Sequence, residues 1–467
     1  MLKFENVKDV ESFAKSNGIE QVDVKFTNVF GGLHHITIPQ ARLNKLAFSS
    51  GIGIDGSSIP GFASTEKSDM ILIPDLTRSF IDPFYKVKTL SFIGGVFNAE
   101  SKEPVPVDPR EIANKATKVL AKKTFANRSL WGPEFEFYVF SNVNYKNCEN
   151  ISFYEVDSNE AHWNSSINDK ANLGYSIKRG KGYHAAPPND HLFNYRSTLS
   201  TMLEDIEIEI KYHHHEGGGA GQVELEVQMK DLLEAADIGQ LIKYFAKMIA
   251  YENGLTVTFM PKPLFNEAGS GMHFHQMLFN CDEPVFFQKD SNDSELSSIA
   301  LSYIAGILLH ASSLLGITNP STNSYKRLTP GFEAPIRAFF SLSNRKAAVR
   351  VPAYAKLPNE KRIEFRPPDA TGNIYLSMAS MLLAGLDGIE KSMNPILLKL
   401  DKEETGGLLP SSLEEALNKL QQDKEYLSID GVFTEQFFKA WVTNKLNEAI
   451  EVNSRINPYE VELYYDC

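Results

Sequence analysis

Trp131-Gly132-Pro133-Glu134-Phe135-Glu136-Phe137-Tyr138-Val139-Phe140 is the stretch on which the fold turns. In an extended strand, residues two apart point the same way. Glu134 and Glu136 therefore share one face, and Phe135 and Phe137 the other. Three further segments repeat this arrangement. Gln222 to Met229 sets Glu224 and Glu226 against Val223, Leu225 and Val227; Met272 to Leu278 presents His273 and His275 together; Arg362-Ile363-Glu364-Phe365-Arg366 aligns Arg362, Glu364 and Arg366. A solvated sheet face usually mixes Lys, Thr, Ser and Gln. Here one face offers carboxylate, imidazole and guanidinium, while the other is apolar enough to pack on helices. Side by side, such strands would oppose like charges at a cost of about 0.2–1 kcal/mol per pair. A bound cation is the simplest remedy.

Carboxylate oxygens with imidazole and no thiolate suit Mg²⁺ or Mn²⁺ rather than structural zinc. Arg327, Arg337, Arg345, Arg350, Arg362 and Arg366 fall within forty residues of one another. Planar guanidinium groups clamp phosphate or carboxylate with paired hydrogen bonds. The chain has no Walker-type glycine loop, so metals plus arginines predict phosphoryl transfer on a scaffold other than the P-loop.

Outward from these strands, the pattern divides the chain. An amphipathic helix near Val7 to Asn17 precedes the alternating strands Val22 to Phe26 and His34 to Ile38, which together predict a small α+β domain. Pro104, Pro106 and Pro109 cannot supply the amide donors that a strand or helix interior needs, so the boundary is expected there, dividing 1–103 from 104–467. Asp108-Pro109 reads as a helix N-cap followed by an N1 proline. Ile299 to Ile317 is apolar, but it contains Ser302, His310, Ser312 and Ser313 and lacks a basic flank, which predicts a buried core helix and no membrane span. The chain from Ser411 onward is expected to be helical and polar. Its last apolar residues, Val461 to Tyr465, would suit docking on another subunit.

Lys and Arg total 47 against 59 Asp and Glu, and the formal charge of −12 argues against a nucleic-acid partner. Cys148, Cys281 and Cys467 form no paired spacing, which fits a reducing compartment and a cytoplasmic location. Met1-Leu2-Lys3-Phe4-Glu5 runs directly into amphipathic sequence and is read as an uncleaved start.

Six motifs in order resemble those of the prokaryotic-type (class I) glutamine synthetases. They are Asp55-Gly56-Ser57-Ser58, Gly132-Pro133-Glu134-Phe135-Glu136, His213-His214-His215-Glu216 with Gly221-Gln222-Val223-Glu224, Gly269-Ser270-Gly271-Met272-His273-Phe274-His275, Asn319 to Arg327, and Arg362 to Arg366. The resemblance runs from about residue 20 to the C-terminus. It implies an α+β fold with a small N-terminal β-grasp-like domain and a large catalytic domain, whose curved antiparallel sheet is backed by helices. It also implies an ATP-dependent ligase that condenses glutamate and ammonia through γ-glutamyl phosphate, in the service of nitrogen assimilation. By the same resemblance, Glu136, Glu216 and Glu224 hold one Mg²⁺ or Mn²⁺ and Glu134, His273 and Glu364 a second. Arg327 grips the substrate α-carboxylate beside the Gly269 backbone, and Arg366 meets the phosphoryl group and γ-carboxylate. Arg345, Arg350 and His275 contact ATP; Asp55 deprotonates ammonium; Glu333 closes a flap over the intermediate. The family's active sites lie between subunits of a homo-oligomer, a dodecamer of two hexameric rings.

Glu226 and Arg337 match no family position and are expected to be structural. The histidine run 213–215 is not expected to converge on one ion, because adjacent strand residues face opposite ways. Ala268 departs from the family's usual Asn. A ligase for another amine would tend to lose the Asp55-to-Ser58 latch, and a non-catalytic scaffold protein would have broken ligands; here both sets are intact. The segment Leu400 to Pro410 contains no tyrosine for adenylylation, and Ser64 stands where another branch of the family carries an arginine that mediates glutamine inhibition.

Overall fold

The computed structural model describes residues 1–43, 45–62, 68–164, 173–291, 294–331 and 333–466, with the backbone alone at 45 and 46. Ser64 and Cys467 lie outside the described residues.

Helix α1 (Val7–Ser16) starts where the Asn6 side chain accepts the N–H groups of Lys8 and Asp9. Strands β1 (Gln21–Thr27) and β2 (Leu33–Pro39) follow, then the short helix α2 (Lys45–Ser49) and strands β3 (Ile52–Asp55), β4 (Asp69–Ile81) and β5 (Thr89–Asn98). They form one five-stranded sheet in the order β2-β1-β5-β4-β3, in which only β1 and β5 run parallel. Helix α3 (Pro109–Ala121) begins as expected, with the Asp108 side chain accepting the Arg110 N–H and proline at its first position.

The second sheet is built around β6 (Arg128–Phe140). An exposed hairpin, β7 (Asn142–Cys148) and β8 (Ile151–Asp157), stands apart from it. Helix α4 (Phe193–Glu204) leads to β9 (Ile210–His215), β10 (Gln222–Val227) and β11 (Lys230–Asp231). Helix α5 (Leu232–Glu252) is followed by β12 (Thr256–Thr258), β13 (Met272–Asn280) and β14 (Glu283–Pro284), then by α6 (Ser298–Leu309), α7 (Ala311–Thr318) and α8 (Ser324–Arg327). Strands β15 (Arg337–Ala338), β16 (Phe340–Leu342), β17 (Val349–Val351) and β18 (Ile363–Phe365) precede helix α9 (Ile374–Glu390). After β19 (Gly407–Leu408) the chain is helical: α10 (Leu413–Gln422), α11 (Glu435–Asn453) and α12 (Pro458–Tyr464).

The main path of this sheet runs β16-β17-β18-β13-β6-β10-β9, so the four polar-faced segments are consecutive strands. Phe135, Phe137, Val223, Leu225, Phe274 and Phe365 are all at most 1% exposed, and with the buried faces of α5 and α9 they make the core. The small sheet is fastened to this unit by polar bonds. The Asn373 side chain donates to the backbone oxygens of Asn28 (3.1 Å) and Val29 (3.0 Å), and Arg110 bridges Asp75 (2.7 Å) and Asp237 (2.9 Å).

The apolar stretch Ile299 to Ile317 differs from the single helix expected. It is two mostly buried helices, α6 and α7, bent by 70°. The break falls at His310, whose ring is held between Asp387 (3.0 Å) and Asp423 (2.9 Å). Among the described residues no single helix is long and apolar enough to cross a membrane.

Candidate active site

Antiparallel register decides which side chains meet. Residue for residue, Glu134 lies opposite both His273 and Glu226, Glu136 opposite Glu224, and Glu364 opposite both His275 and Arg350. All these carboxylates and imidazoles are at most 9% exposed. The ligand atoms of Glu134, His273 and Glu364 fall within 4.8 Å of one another. His273 Nδ1 lies 3.0 Å from Glu134, and His275 Nε2 lies 2.7 Å from that residue's other oxygen. Burial alone would raise the Glu134 carboxyl, but His275 and His273 hold it well below its usual range. Glu364 has no exposed surface and accepts from both Arg350 and Arg366.

A second cluster sits at the other end of the carboxylate row. His214, Glu216 and Glu224 bring ligand atoms within the same 4.8 Å span. The grouping differs from the expected Glu136, Glu216 and Glu224. Glu136 accepts the backbone N–H of Gly271 (2.9 Å) and lies 3.5 Å from His273 Nε2 rather than in the group of Glu216 and Glu224. Its field still reaches them: burial, then Glu136 and Glu224, push the Glu216 carboxyl up to about 8. Burial with Glu134, Glu136 and Glu226 pushes Glu224 well above its ordinary value.

The histidine run does split, as strand alternation requires. Only His214 faces the carboxylates, opposite Glu224 in the β9–β10 ladder. It is a site residue that the sequence reading missed by treating the three histidines as a unit. Glu226 pairs with Lys211 (2.5 Å) but also groups with Glu134 and His275, closer to the site than expected. Arg337 donates to the Gly406 backbone oxygen away from this face.

Arg327 is 4% exposed and is held by the backbone oxygens of Pro367 (2.7 Å), Pro368 (3.3 Å) and Arg366 (3.1 Å). None of these neutralises its charge. Burial lowers the pKa of this guanidinium, and the nearby charges of Glu136 and Asp369 offset only part of that penalty. A Cβ on Gly271 would stand 2.5 Å from Arg327 Nη2 and 2.6 Å from His273 Nε2, so only glycine allows this approach. The Gly269 backbone oxygen accepts from Gln222 (3.0 Å), and that of Ala268 from the Tyr138 hydroxyl (2.7 Å). Arg345 gives its backbone oxygen to Arg366 Nε (3.1 Å) and reaches Glu333 at 3.7 Å. Glu333 is exposed and adopts φ 24°, a strained value for a non-glycine residue. Tyr183 was also missed; its ring lies 5.9 Å from the Arg345 guanidinium and edge-on to His214, and it sits in a loop without periodicity to reveal it.

Asp55 stands apart. It is exposed and caps the turn Gly56–Ser58, accepting from the Ser57 N–H (2.9 Å), the Ser57 hydroxyl (2.7 Å) and the Ser58 hydroxyl (2.7 Å). These bonds, from Ser57 first and then Ser58, hold its carboxyl below the ordinary range.

The donor set fits hard divalent cations: carboxylate oxygens and imidazole nitrogens without sulfur. Among the described residues the Oε2 atoms of Glu216 and Glu226 are buried without a hydrogen-bond partner, so lone pairs are left for a cation. The profile of the glutamine synthetase catalytic domain matches residues 106–464, and that of the glutamine synthetase β-grasp domain matches 18–99. The glutamine synthetase of Mycolicibacterium smegmatis is 42% identical over 98% of each chain, and that of Aquifex aeolicus 40% identical over 98% of each. The chain belongs to the glutamine synthetase family. A cryo-EM structure of Plasmodium falciparum glutamine synthetase superposes with a TM-score of 0.92 at 26% identity, covering 99% of both chains. The α+β architecture, a β-grasp unit beside a large sheet backed by helices, is thus that of glutamine synthetases, and the chain is a ligase of that family.

Proposed function

We propose that the chain condenses L-glutamate with ammonia, coupled to cleavage of ATP to ADP and phosphate, through γ-glutamyl phosphate. The observation that carries this reading is the register itself. Glu134, His273 and Glu364 converge on one side of buried Arg327, and Arg350 and Arg366 converge on Glu364.

Glutamate's α-carboxylate would pair with Arg327, a buried cation already aimed past Gly271. Arg366 would meet the γ-carboxylate and the transferring phosphoryl group, while Arg345, Arg350 and His275 would take the remaining phosphate charge. Glu134, His273 and Glu364 would hold one divalent ion, and Glu136, Glu216 and Glu224, joined by His214, a second; the ion is Mg²⁺ or Mn²⁺. When bound, these ions neutralise developing charge on the phosphoryl oxygens. Transfer of phosphate to the γ-carboxylate replaces a very poor leaving group with phosphate. Ammonium predominates at neutral pH, so a carboxylate must take one of its protons. Asp55, exposed and fixed in orientation by its serine bonds, would take this role, and Glu333 on its exposed loop would close over the acyl phosphate.

The exposed Asp55 latch supports a site shared between subunits, with residues 1–103 of one chain reaching residues 104–467 of the next. Exposed Val461, Leu463, Tyr464 and Tyr465 supply apolar surface for assembly into two stacked hexameric rings. A cytoplasmic location accords with this metabolic role. The test is glutamate- and ammonium-dependent phosphate release from ATP by purified protein with Mg²⁺ or Mn²⁺. Phosphate and glutamine are expected in equal amounts, and full activity in both Glu134→Ala and Glu364→Ala would overturn the assignment of the site.

A further inference from the structure

Beneath Glu216 lies a buried pair that takes no part in the chemistry above. His215 has no exposed surface and Glu160 is 1% exposed. His215 Nε2 lies 2.7 Å from Glu160 Oε1, and its Nδ1 lies 2.7 Å from the backbone oxygen of Glu216. A carboxylate and a carbonyl only accept, so the ring donates from both nitrogens. The other carboxylate oxygen of Glu160 accepts the His191 N–H (3.0 Å), and its backbone oxygen accepts that of Ile177 (2.8 Å). Glu160 thereby ties two distant stretches of loop to the end of β9.

That end is where Glu216 departs from the ladder. β9 stops at His215, so strand geometry no longer dictates where the next carboxylate points. Glu216 nevertheless brings a ligand atom within 4.8 Å of those of His214 and Glu224. No strand register holds it there. Instead its peptide is fixed on both sides: its N–H donates to the Gln222 oxygen (2.8 Å), its oxygen meets the His215 ring, and His184 N–H donates to the His215 oxygen (2.9 Å). A Cβ on Gly182 would lie 2.4 Å from the Glu216 oxygen, so the loop packs directly on this peptide.

We propose that Glu160 and His215 are a positioning pair that holds the Glu216 carboxylate facing Glu224 and Glu136, ready for a divalent cation. This rests on reading Glu216 as a metal ligand. Groups that orient a ligand in this way are typically worth about 10–100-fold in metal affinity.

Mn²⁺ binding to the full chain, followed by electron paramagnetic resonance without substrates, tests both layers. Glu216→Ala examines the underlying reading: loss of one class of tight Mn²⁺ sites is expected, and retention of both classes would overturn the ligand assignment and the pair's role with it. Glu160→Ala is expected to weaken that same class about 10–100-fold while the other class and nucleotide binding hold. Glu160→Asp, whose shorter arm falls back from His215 without removing the buried charge, should weaken it in the same sense and serves if the alanine variant does not fold. Glu160→Gln, whose amide oxygen still accepts from His215, should restore most of the affinity. With Glu216→Ala behaving as expected, unchanged Mn²⁺ binding in folded Glu160→Ala or Glu160→Asp overturns the proposal. So does an equal loss in both classes and in nucleotide binding, which would mark general loosening of the fold.

Discussion

Glu216 keeps a proton up to about pH 8, first because burial penalises its charge and then because Glu136 and Glu224 do. A cation must displace that proton, so metal affinity should fall as pH drops below about 8. The sign for stability follows from the same shift. The folded pKa is raised above its ordinary 4.5, so the metal-free protein gains from protonation at low pH and loses that gain as pH rises through about 8. The rise in melting temperature on adding Mn²⁺ should therefore be larger at pH 8 than at pH 6, and an equal or smaller rise at pH 8 would contradict the cation site. Glu364 makes a different prediction. It is wholly buried between Arg350 and Arg366, so Glu364→Ala should abolish activity and also cost about 3–5 kcal/mol in denaturant unfolding, the usual penalty for leaving buried charge unpaired. Asp55 is exposed, so Asp55→Ala should cost no more than the lost turn cap, about 0.5–2 kcal/mol, and leave ATP binding alone while lowering glutamine synthesis by about 10²-fold or more. At this scale the strand carboxylates and histidines were legible in the sequence, because a period of two dictates their shared face. Glu216 and Glu333 lie in loops, where no period exists, and Asp55 ends the short strand β3, whose four residues give too little alternation to mark it, so only the family motifs pointed to them. His214 was hidden by its neighbours, although the same alternation that excluded a three-histidine cluster singles it out.

Consecutive polar-faced strands explain why the catalytic sheet could be foreseen: β10, β6, β13 and β18 each carry an apolar face that must meet helices, and α5 and α9 supply them. The bend between α6 and α7 could not be foreseen, because composition gives length and apolarity while the partners of His310 come from α9 and the turn after α10. The segment between α9 and α10 carries a regulatory prediction. Its β19 pairs with β15, and the flanking Tyr375 and Tyr426 are both buried, at 1% and 6% exposure. No phenol is offered on residues 400–410. Incubation with an adenylyltransferase and labelled ATP should therefore leave the protein unlabelled; label on any tyrosine would refute this. Weak inhibition by glutamine is the companion expectation from Ser64, and inhibition at low millimolar concentration would overturn it.

For the whole molecule, the decisive feature is that Asp55 takes its hydrogen bonds from its own serines while the carboxylate sheet lies on another unit of the chain. If sites are shared between subunits, mixed oligomers of Asp55→Ala and Glu364→Ala chains should recover activity that neither variant has alone, because some interfaces pair an intact latch with an intact sheet. An active monomer in light scattering would contradict this. Oxygen tracing follows the route of the reaction itself. Glutamate labelled with ¹⁸O in both γ-carboxylate oxygens is supplied with ATP, ammonium and Mg²⁺, and the phosphate is analysed by mass spectrometry. Transfer through γ-glutamyl phosphate predicts one ¹⁸O in each phosphate released with glutamine; glutamine accompanied by unlabelled phosphate would contradict the account.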